Sequence, residues 1–415
     1  MRILLISPNA PPKNSAESMQ VGRYLSGLKK NNRVTLVTTP ENRGWVVHDP
    51  SLGAGMEDVE RLEIRLPFHP QASRLMASRY LKRWMRPDDF SWIVGRASWI
   101  VRHLKEPPDI IYSRSLPFSS SLLGKALRQR FCVPWIMHLS DPWLDNPYLH
   151  FRGEKDRALE YSCFLEADGI SVTTECLLNF YGRKYPEFRK KLFLSPNVMP
   201  LNEQVPADEH EGGRNERLTL LYTGALYGSR NPRLLLDVLQ EICHENPSLY
   251  RNMDLTFVGN ISEDIRQMIG NAGLPGVSLP GRKSYAEVLK LQASADVMLS
   301  FEPDGKNPLM KCFLPSKILD YIHGGKPFIA ITPRGSETWQ LCEQGYGWAV
   351  VPDDGAGLKK LLSYLATRKF MEGTVVPEKV KDLPARYSVE SCVENLERRM
   401  KSMVENACSH SSLKG

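Results

Sequence analysis

The 415-residue sequence predicts an α/β protein made of two doubly wound, Rossmann-like domains. Short apolar runs typical of buried strands alternate with helical patterns along most of the chain, and such βαβ alternation builds a parallel sheet. The alternation stops once, at residues 201–217, where proline, glycine and charged residues predict a linker, and then restarts. The length also fits two domains of about 100–200 residues each.

Each predicted strand is an apolar run bounded by polar or turn-forming residues. The first domain covers residues 1–200, with strands predicted at 2–6, 33–38, 109–112, 133–138, 169–173 and 192–195 and helices at 18–30 and 119–130. The second domain covers residues 218–387, with strands predicted at 218–223, 255–258, 277–279, 297–301, 328–331 and 349–351. Residues 388–415 form a tail whose pattern predicts a helix over 388–405.

The composition is that of an ordinary globular protein, with 42% hydrophobic and 24% charged residues. No stretch approaches the roughly 20 apolar residues of a membrane span, and the apolar run Met1–Ile6 is too short for a signal peptide, so we expect a cytoplasmic protein. The eight cysteines form no Cys-x-x-Cys pair and no zinc spacing with histidine. We therefore expect no metal and no cofactor.

The net charge of +7 is concentrated in the first half of the chain, where residues 1–200 carry 29 Lys and Arg against 20 Asp and Glu. Between Arg74 and Lys105, eight basic residues alternate with apolar ones that include Trp84, Trp92 and Trp99. Such a pattern favours docking on an anionic membrane surface at the inner face of the plasma membrane. Ordinary surface helices with long basic side chains are the alternative. Nucleic acid is not expected as a partner, because no recognition motif accompanies the charge.

The stretch from Phe313 to Ile331 carries the strongest chemical signal. Lys317 stands at the start of a predicted helix, where backbone N–H groups and the helix dipole favour an anion. Asp320 follows one turn later on the same face. A cation and a carboxylate so placed can hold a phosphate and a neighbouring sugar diol, which indicates a nucleotide-sugar site. A surface helix with an ordinary ion pair is the alternative.

A second candidate lies at the start of the second domain, where a strand ending at Thr223 leads through Gly224 to a helix near Pro232. Ligands of open α/β sheets bind at the carboxyl ends of the strands, so Arg230 in this turn is placed to contact a phosphate. With Lys317 it would neutralise a diphosphate leaving group. A solvated loop arginine is the alternative.

Both stretches resemble segments of GT-B glycosyltransferases, particularly those of family 4. The text Pro-Ser-Lys-x-x-Asp-Tyr-x-x-x-Gly-Lys-Pro from Pro315 is similar to their donor-binding helix. The resemblance implies that Asp320 binds the ribose hydroxyls and that Arg230 and Lys317 act in catalysis. It also implies two Rossmann-like domains facing across a cleft, with a C-terminal helix that crosses back to the first. The positions that it assigns to donor binding are Gly224, Arg230, Cys312, Phe313, Leu314, Ser316, Lys317 and Asp320. Cys312 stands where many members of the family have a glutamate that contacts the transferred sugar.

The first domain adds a further match in residues 107–119 and 133–143, which resemble a subset of the same family. By this resemblance His138 lies on the sugar side of the site and is a third catalytic candidate, although a histidine at a strand end is also common in a core. Asp141 contacts the acceptor or caps the following loop. Family members have a Gly-Gly turn near residue 14, and here Asn14 and Ser15 occupy the acceptor-side loop. Because asparagine tolerates positive φ, we expect Asn14 to preserve the turn.

The sequence thus predicts a glycosyltransferase that moves a sugar from a nucleotide sugar to a glycan or lipid-linked acceptor. Family precedent implies retention of the anomeric configuration and a place in cell-surface polysaccharide biosynthesis. A catalytically weak relative that binds a nucleotide sugar or a partner transferase is the alternative, motivated by Cys312 and the missing glycines. A nucleotide-sugar epimerase of the same fold is a third interpretation. The sequence leaves the oligomeric state open.

Overall fold

The computed structural model describes residues 1–40, 47–65, 85–148, 153–200, 217–303, 305–375 and 384–412. The chain divides into two compact units. The first comprises Met1–Leu201 and Ala385–Gly415, and the second comprises Asn202–Pro384. Except for Arg217, the predicted linker lies outside the described residues.

The first unit is built on a parallel sheet, as the βαβ alternation predicts. Its strands are β1 (Arg2–Ile6), β3 (Arg33–Thr38), β5 (Glu60–Glu63), β6 (Ile110–Ser115), β7 (Trp135–Leu139), β8 (Gly169–Val172) and β9 (Leu192–Leu194), with β2 (Lys13–Asn14) and β4 (Val47–His48) forming a short antiparallel pair. The sheet order is β5-β3-β1-β6-β7-β8-β9. The helices are α1 (Ala16–Leu28), α2 (Ala97–His103), α3 (Ser119–Phe131), α4 (Glu154–Glu166) and α5 (Glu175–Lys184).

The second unit repeats the plan with a sheet of its own. Its strands are β10 (Leu218–Thr223), β11 (Met253–Val258), β12 (Val277–Gly281), β13 (Val297–Phe301), β14 (Phe328–Ile331) and β15 (Gly347–Val350), in the order β12-β11-β10-β13-β14-β15. The helices are α6 (Arg233–Glu245), α7 (Pro247–Tyr250), α8 (Glu263–Asn271), α9 (Tyr285–Ser294), α10 (Ser316–His323), α11 (Glu337–Glu343) and α12 (Gly355–Glu372). Since β10 is hydrogen-bonded to β13 and β13 to β14, the loops that follow these three strands start at one edge of the sheet.

The tail helix α13 (Val389–Ser412) belongs to the first unit and completes its core. Its apolar face, with Val393 and Met400 buried, joins the cluster formed by α1 and the central strands. The approach to α1 is close, because a Cβ atom built on Gly27 would lie 2.6 Å from Cγ2 of Val393. The helix therefore returns to the first domain, as the resemblance implies.

The predicted strands agree with the structure to within two residues at each end except at β6, whereas β2, β4 and β5 were not predicted and the tail helix runs seven residues beyond the predicted end at 405. Strand β6 was expected to end at Tyr112 because the polar residues Ser113, Arg114 and Ser115 follow. All three are buried within the strand. The hydrophobic pattern fails here because each polar side chain has a partner elsewhere in the fold. Ser113 accepts from the indole N–H of Trp135 at 2.9 Å, Ser115 donates to the carbonyl oxygen of His138 at 3.1 Å, and Arg114 donates to Glu17 of α1 at 2.9 Å.

The basic stretch from Arg74 to Lys105 is described only from residue 85 onward. Its described part is tied to the first unit through charged contacts, since Arg86 pairs with Asp156, and Ser119 at the start of α3 donates to Asp88 at 2.6 Å through its hydroxyl group. Arg86 is therefore held by an ion pair with a buried carboxylate. Within the described residues, no helix combines the length and the apolar character needed to cross a membrane.

Candidate functional site

The second unit gathers its candidate residues at the edge where β10 and β13 end. The turn after β10 needs glycine, since Gly224 has φ of +127° and Gly259, after the neighbouring β11, has φ of +134°. A Cβ atom built on Gly259 would lie only 2.0 Å from the carbonyl oxygen of Gly224. The two loops therefore touch backbone to backbone, and space above Gly224 is left for the side chain of Lys317.

Lys317, the second residue of α10, places its ammonium group over this turn. Nζ lies 3.4 Å from the carbonyl oxygen of Thr223 and 3.6 Å from the ring centroid of Tyr222. Desolvation of the ammonium group, reinforced by the Arg230 guanidinium and opposed by Glu302, lowers the pKa of Lys317 well below its usual value. A lysine in such surroundings gains strongly from an anionic ligand, because the ligand restores the favourable environment of its charge.

Arg230 is held near Lys317 by a tight turn. The backbone groups of Tyr227 and Arg230 exchange two hydrogen bonds of 3.2 and 3.0 Å, and Gly228 within the turn has φ of +55°. The guanidinium lies 5.6 Å from the ring centroid of Tyr227. The structure thus brings together two cations, Arg230 and Lys317, beside a glycine turn at the carboxyl edge of a parallel sheet. That arrangement suits a diphosphate.

The helix that carries Lys317 is fixed to β10 by hydrogen bonds. The Tyr321 hydroxyl lies 3.1 Å from Oγ1 of Thr223, to which Gln292 donates at 3.0 Å. Asp320 lies one turn beyond Lys317 in α10, and its side chain is buried. Of the other predicted donor-binding residues, Ser316 begins α10, Cys312 ends a 3₁₀ turn and is buried, Leu314 is buried and Phe313 is half-buried.

Sequence reasoning missed Glu302, a buried acid that directly follows β13. Oγ1 of Thr332, the residue after β14, donates to Oε2 of Glu302 at 2.8 Å. Burial raises the pKa of Glu302, and hydrogen bonds from Thr338 and Thr332 together with the charges of Arg230 and Lys317 oppose the shift. Its position directly after a predicted strand of the same sheet is the signal that could have found it.

In the first unit, His138 stands in a row of polar residues across three strands. Arg114, His138 and Ser171 are register partners on β6, β7 and β8. His138 is fully buried, and its Nδ1 lies 2.9 Å from Oγ of Ser171. Burial, with a further contribution from the Arg114 cation, lowers the pKa of His138 well below its usual value. The imidazole is therefore neutral at pH 7.

Arg114 belongs to a buried ion pair that the motifs did not reveal. Its Nε donates to Glu17 at 2.9 Å, and the second oxygen of Glu17 accepts from the Ser140 hydroxyl at 2.7 Å. Glu17 lies in the first turn of α1. The pair and Ser140 therefore tie α1 to the ends of β6 and β7.

The acceptor-side loop differs from the expectation. Asn14 lies in the extended strand β2, so the prediction of a positive φ at this residue is wrong. The loop is held instead by Lys13, whose buried ammonium donates to Pro8 and to the carbonyl oxygen of Thr39 at 2.7 Å. Ser15 caps α1 by accepting from the backbone N–H of Ser18 at 3.2 Å. Asp141 is half-buried just beyond β7.

Within the described part of the chain, no group of three or more His, Cys, Asp or Glu side chains could hold a metal ion. The described cations at the candidate site of the second unit are Arg230 and Lys317.

Comparison with known proteins shows which family profile and which solved structures resemble this chain. Residues 19–196 match the family profile of a glycosyl transferase 4-like domain. A search of curated protein sequences finds no match. Among solved structures, Anabaena HepE in complex with UDP and glucose resembles the chain with a TM-score of 0.65 and 14% identity, over 97% of this chain and 100% of that one.

Two further structures have similar scores. Sucrose-phosphate synthase from Thermosynechococcus elongatus has a TM-score of 0.62 and 16% identity, over 98% of this chain and 100% of its own. A putative UDP-N-acetylglucosamine 2-epimerase from Listeria monocytogenes has a TM-score of 0.60 and 13% identity, over 98% and 97% of the two chains. Identities this low establish the fold alone. The predicted fold class is confirmed: the chain has two Rossmann-like domains and the GT-B fold, and its first domain carries the glycosyl transferase 4-like sequence that the motifs predict.

Proposed function

We propose that the protein is a glycosyltransferase that moves a sugar from a nucleotide sugar to a glycan or a lipid-linked acceptor, with retention of the anomeric configuration. The single observation that carries the proposal is the pair of cations, Arg230 and Lys317, beside the Gly224 turn. The glycosyl transferase 4-like match of residues 19–196 supports a transferase rather than another enzyme of the same fold.

The proposed reaction breaks the bond between the anomeric carbon and the diphosphate oxygen. An acceptor hydroxyl oxygen forms the new bond to that carbon, and its proton leaves to the departing diphosphate or to solvent. Negative charge builds on the diphosphate as the bond breaks, and Arg230 and Lys317 stabilise it. These fixed cations supply the electrostatic stabilisation, so the proposal needs no metal and no cofactor. Asp320 accepts hydrogen bonds from the ribose hydroxyls of the donor.

The first unit supplies the remaining proposed contacts. His138 is neutral, so it can exchange a hydrogen bond with the sugar without adding charge to the site. Asn14, Ser15 and Asp141 are assigned to the acceptor. The solved structures support the proposed class of donor, a nucleotide sugar, because HepE was solved with UDP and glucose.

We further propose a cytoplasmic enzyme that docks on the inner face of the plasma membrane, where a lipid-linked acceptor of cell-surface polysaccharide synthesis is presented. The basic, tryptophan-containing sequence from Arg74 to Lys105 supports this location. Binding to anionic liposomes should weaken with salt and should be lost when Arg79, Lys82 and Arg83 are replaced by glutamate. Arg86 is left unchanged in this variant because it pairs with Asp156. Equal sedimentation with neutral and anionic liposomes contradicts the proposed location.

The main test is release of a nucleoside diphosphate from a panel of nucleotide sugars, with and without a membrane extract as the source of acceptor. A transferase releases it faster when acceptor is present. Cys312, which replaces a glutamate of the resembled family, favours one alternative, a catalytically weak nucleotide-sugar binder. That alternative predicts a thermal shift with a nucleotide sugar but no release, whereas an epimerase converts one nucleotide sugar into another without acceptor.

A further inference from the structure

A cavity of about 250 Å³ lies in the first unit between α5 and the start of β9. It is lined by Leu178, Asn179, Gly182, Arg183, Arg189 and Leu192. A Cβ atom built on Gly182 would lie 3.9 Å from Cγ of Arg189, so the arginine side chain lies across the glycine. None of these lining residues is acidic. The cavity therefore combines two cations and an amide with apolar walls.

This cavity is separate from the candidate residues already described in the first unit. Helix α5 follows β8 and ends before β9, and the two strands are parallel, so α5 runs back along the sheet. The last turn of α5, with Arg183, and the 3₁₀ turn Pro186–Lys191 therefore lie where the strands begin. His138 and Asp141 lie at the opposite edge, where β7 ends.

The two arginines carry positive charge that the rest of the described chain does not neutralise. Arg183 and Arg189 are exposed, and neither side chain has a hydrogen-bond or ion-pair partner among the described residues. Lys184 differs, because it pairs with Asp145 and Glu160. The guanidinium groups at the cavity are thus available to an anion from outside, whereas the neighbouring ammonium group is not.

The 3₁₀ turn extends this charge toward α4. It adds the exposed Lys190, and Lys191, whose ammonium donates to the carbonyl oxygen of Leu165 at 2.7 Å, against one acid, Glu187. On this side α4 presents two large apolar residues to solvent, since Tyr161 is 40% and Leu165 is 56% exposed. The Tyr161 ring centroid lies 5.5 Å from that of Phe188 in the turn. The basic turn and the exposed apolar residues are therefore neighbours.

An exposed apolar residue also lies on the cavity side. Leu194 is 38% exposed and projects from the same face of β9 as Leu192, two residues before it, which lines the cavity. Cations thus stand between exposed apolar groups on both flanks. We call this set the docking surface, and it consists of Tyr161, Leu165, Arg183, Arg189, Lys190 and Leu194.

The combination indicates which anion fits. Guanidinium groups bind phosphate oxygens with two parallel hydrogen bonds, so a pair of arginines suits a phosphate group. A soluble phosphate gains nothing from the exposed tyrosine and leucines, whereas a lipid bilayer offers both phosphate groups and an apolar boundary just below them. We propose that the docking surface binds an anionic lipid bilayer, with the phosphate of a lipid head group held in the cavity by Arg183 and Arg189.

This inference rests on the membrane location given under the proposed function and deepens it. It assigns a second contact, made of described residues, in addition to the basic sequence from Arg74 to Lys105. Because the contributions of separate basic residues add as free energies, their effects on the binding constant multiply. Loss of either contact is therefore enough to weaken docking strongly.

The test is cosedimentation of the full-length protein with vesicles of phosphatidylcholine, alone or mixed in equal parts with phosphatidylglycerol. The double variant Arg183→Gln/Arg189→Gln should bind the anionic vesicles about thirtyfold more weakly than the wild type, since each basic residue near such a surface contributes about a factor of five. High salt should abolish the difference, because it screens the charges. Release of a nucleoside diphosphate measured without vesicles should be the same in both proteins.

Two control variants separate the parts of the docking surface from net charge. Arg251→Gln/Lys360→Gln removes the same charge from exposed positions of the second unit and should leave vesicle binding unchanged. Leu165→Ser should weaken binding several-fold by an amount that salt does not abolish, because it removes apolar contact with the bilayer. Thermal unfolding without vesicles shows that each variant is folded.

The contrary results differ in what they overturn. Unchanged vesicle binding in a folded Arg183→Gln/Arg189→Gln protein overturns the docking surface and leaves the sequence from Arg74 to Lys105 as the membrane contact. If inorganic phosphate raises the melting temperature of the wild type but not of this variant, while vesicle binding is equal, the cavity is a site for free phosphate and the lipid assignment is wrong. A wild type that does not bind anionic vesicles overturns this inference and the membrane location, whereas the transferase reaction is judged by nucleoside diphosphate release.

Discussion

Replacing Lys317 by methionine separates what this residue does for the fold from what it does for the reaction. Burial of the ammonium group and the charge of Arg230 lower the pKa of Lys317, and the opposing charge of Glu302 does not offset them. The charged form of the side chain therefore destabilises the unliganded folded state. Methionine preserves packing against the aromatic ring without the charge. We expect Lys317→Met to raise the melting temperature of the unliganded protein.

The pH dependence follows from the same shift. Because the folded protein binds this proton less tightly than the unfolded chain does, the unfolded state holds more protons between the folded pKa and about 10.4. The free energy of unfolding of the wild-type protein should rise with pH through this window. Below the folded pKa, Lys317 is charged in both states and its burial destabilises the folded protein by the full amount. In Lys317→Met this contribution disappears. The measurement is the melting temperature against pH for both proteins.

Turnover should move in the opposite direction. At an effective dielectric constant of about 20, a unit charge about 4 Å from a phosphate oxygen contributes about 4 kcal/mol. Loss of one fixed cation at a developing charge typically costs about 3 kcal/mol, or about a hundredfold in kcat. Arg230→Ala is the matched variant and should lose turnover similarly. Near-normal turnover in Lys317→Met, or a lower melting temperature without ligand, would refute the reasoning.

Three further variants test other parts of the molecule. Asp320→Asn should weaken donor binding at unchanged melting temperature, because it removes charge-assisted hydrogen bonds to the ribose; lost stability with unchanged affinity would mark a structural role. The pKa of His138 is lowered in the folded protein, so the unfolded chain binds this proton at higher pH, and stability should fall as the pH drops below about 6.5. In His138→Gln, melting temperatures measured against pH should fall less steeply on the acid side. Gly27→Ala places a methyl group 2.6 Å from Val393 and should destabilise the protein by about 1–3 kcal/mol in urea unfolding. Gly270→Ala, where nothing lies within 4 Å of the added atom, is its control and should be neutral or stabilising by up to about 1 kcal/mol.

The sheets were predictable from the sequence because buried parallel strands are continuous apolar runs, and the strand bounds agree where that holds. The prediction failed at β6, where Arg114 is buried by pairing with Glu17, a residue 97 positions earlier in the chain. The pattern of neighbouring residues in the sequence cannot predict a partner so far away along the chain. The second half of that strand consists of polar residues that are nevertheless buried in the core.

The candidate site was partly predictable for a related reason. Lys317 and Arg230 were identified because helix starts and strand ends are visible locally, and the structure brings them together. Glu302 was missed because its partner Thr332 follows a different strand, β14, 30 residues later in the chain. Asn14 was assigned the wrong conformation, since Lys13 holds the loop through contacts with Thr39 that lie across the fold.

The packing of α13 on α1 has a consequence for how the chain is made. Residues 389–400, which complete the core of the first unit, leave the ribosome only after the whole second unit has been synthesised. The apolar side chains of Val21 and Leu28 therefore lack their cover from α13 during that interval. At a translation rate of about 5–20 residues per second, the interval lasts on the order of ten seconds or more. The second unit holds all of its own core within one continuous stretch and can fold during translation. The domain that is made first is thus the one that completes its core last.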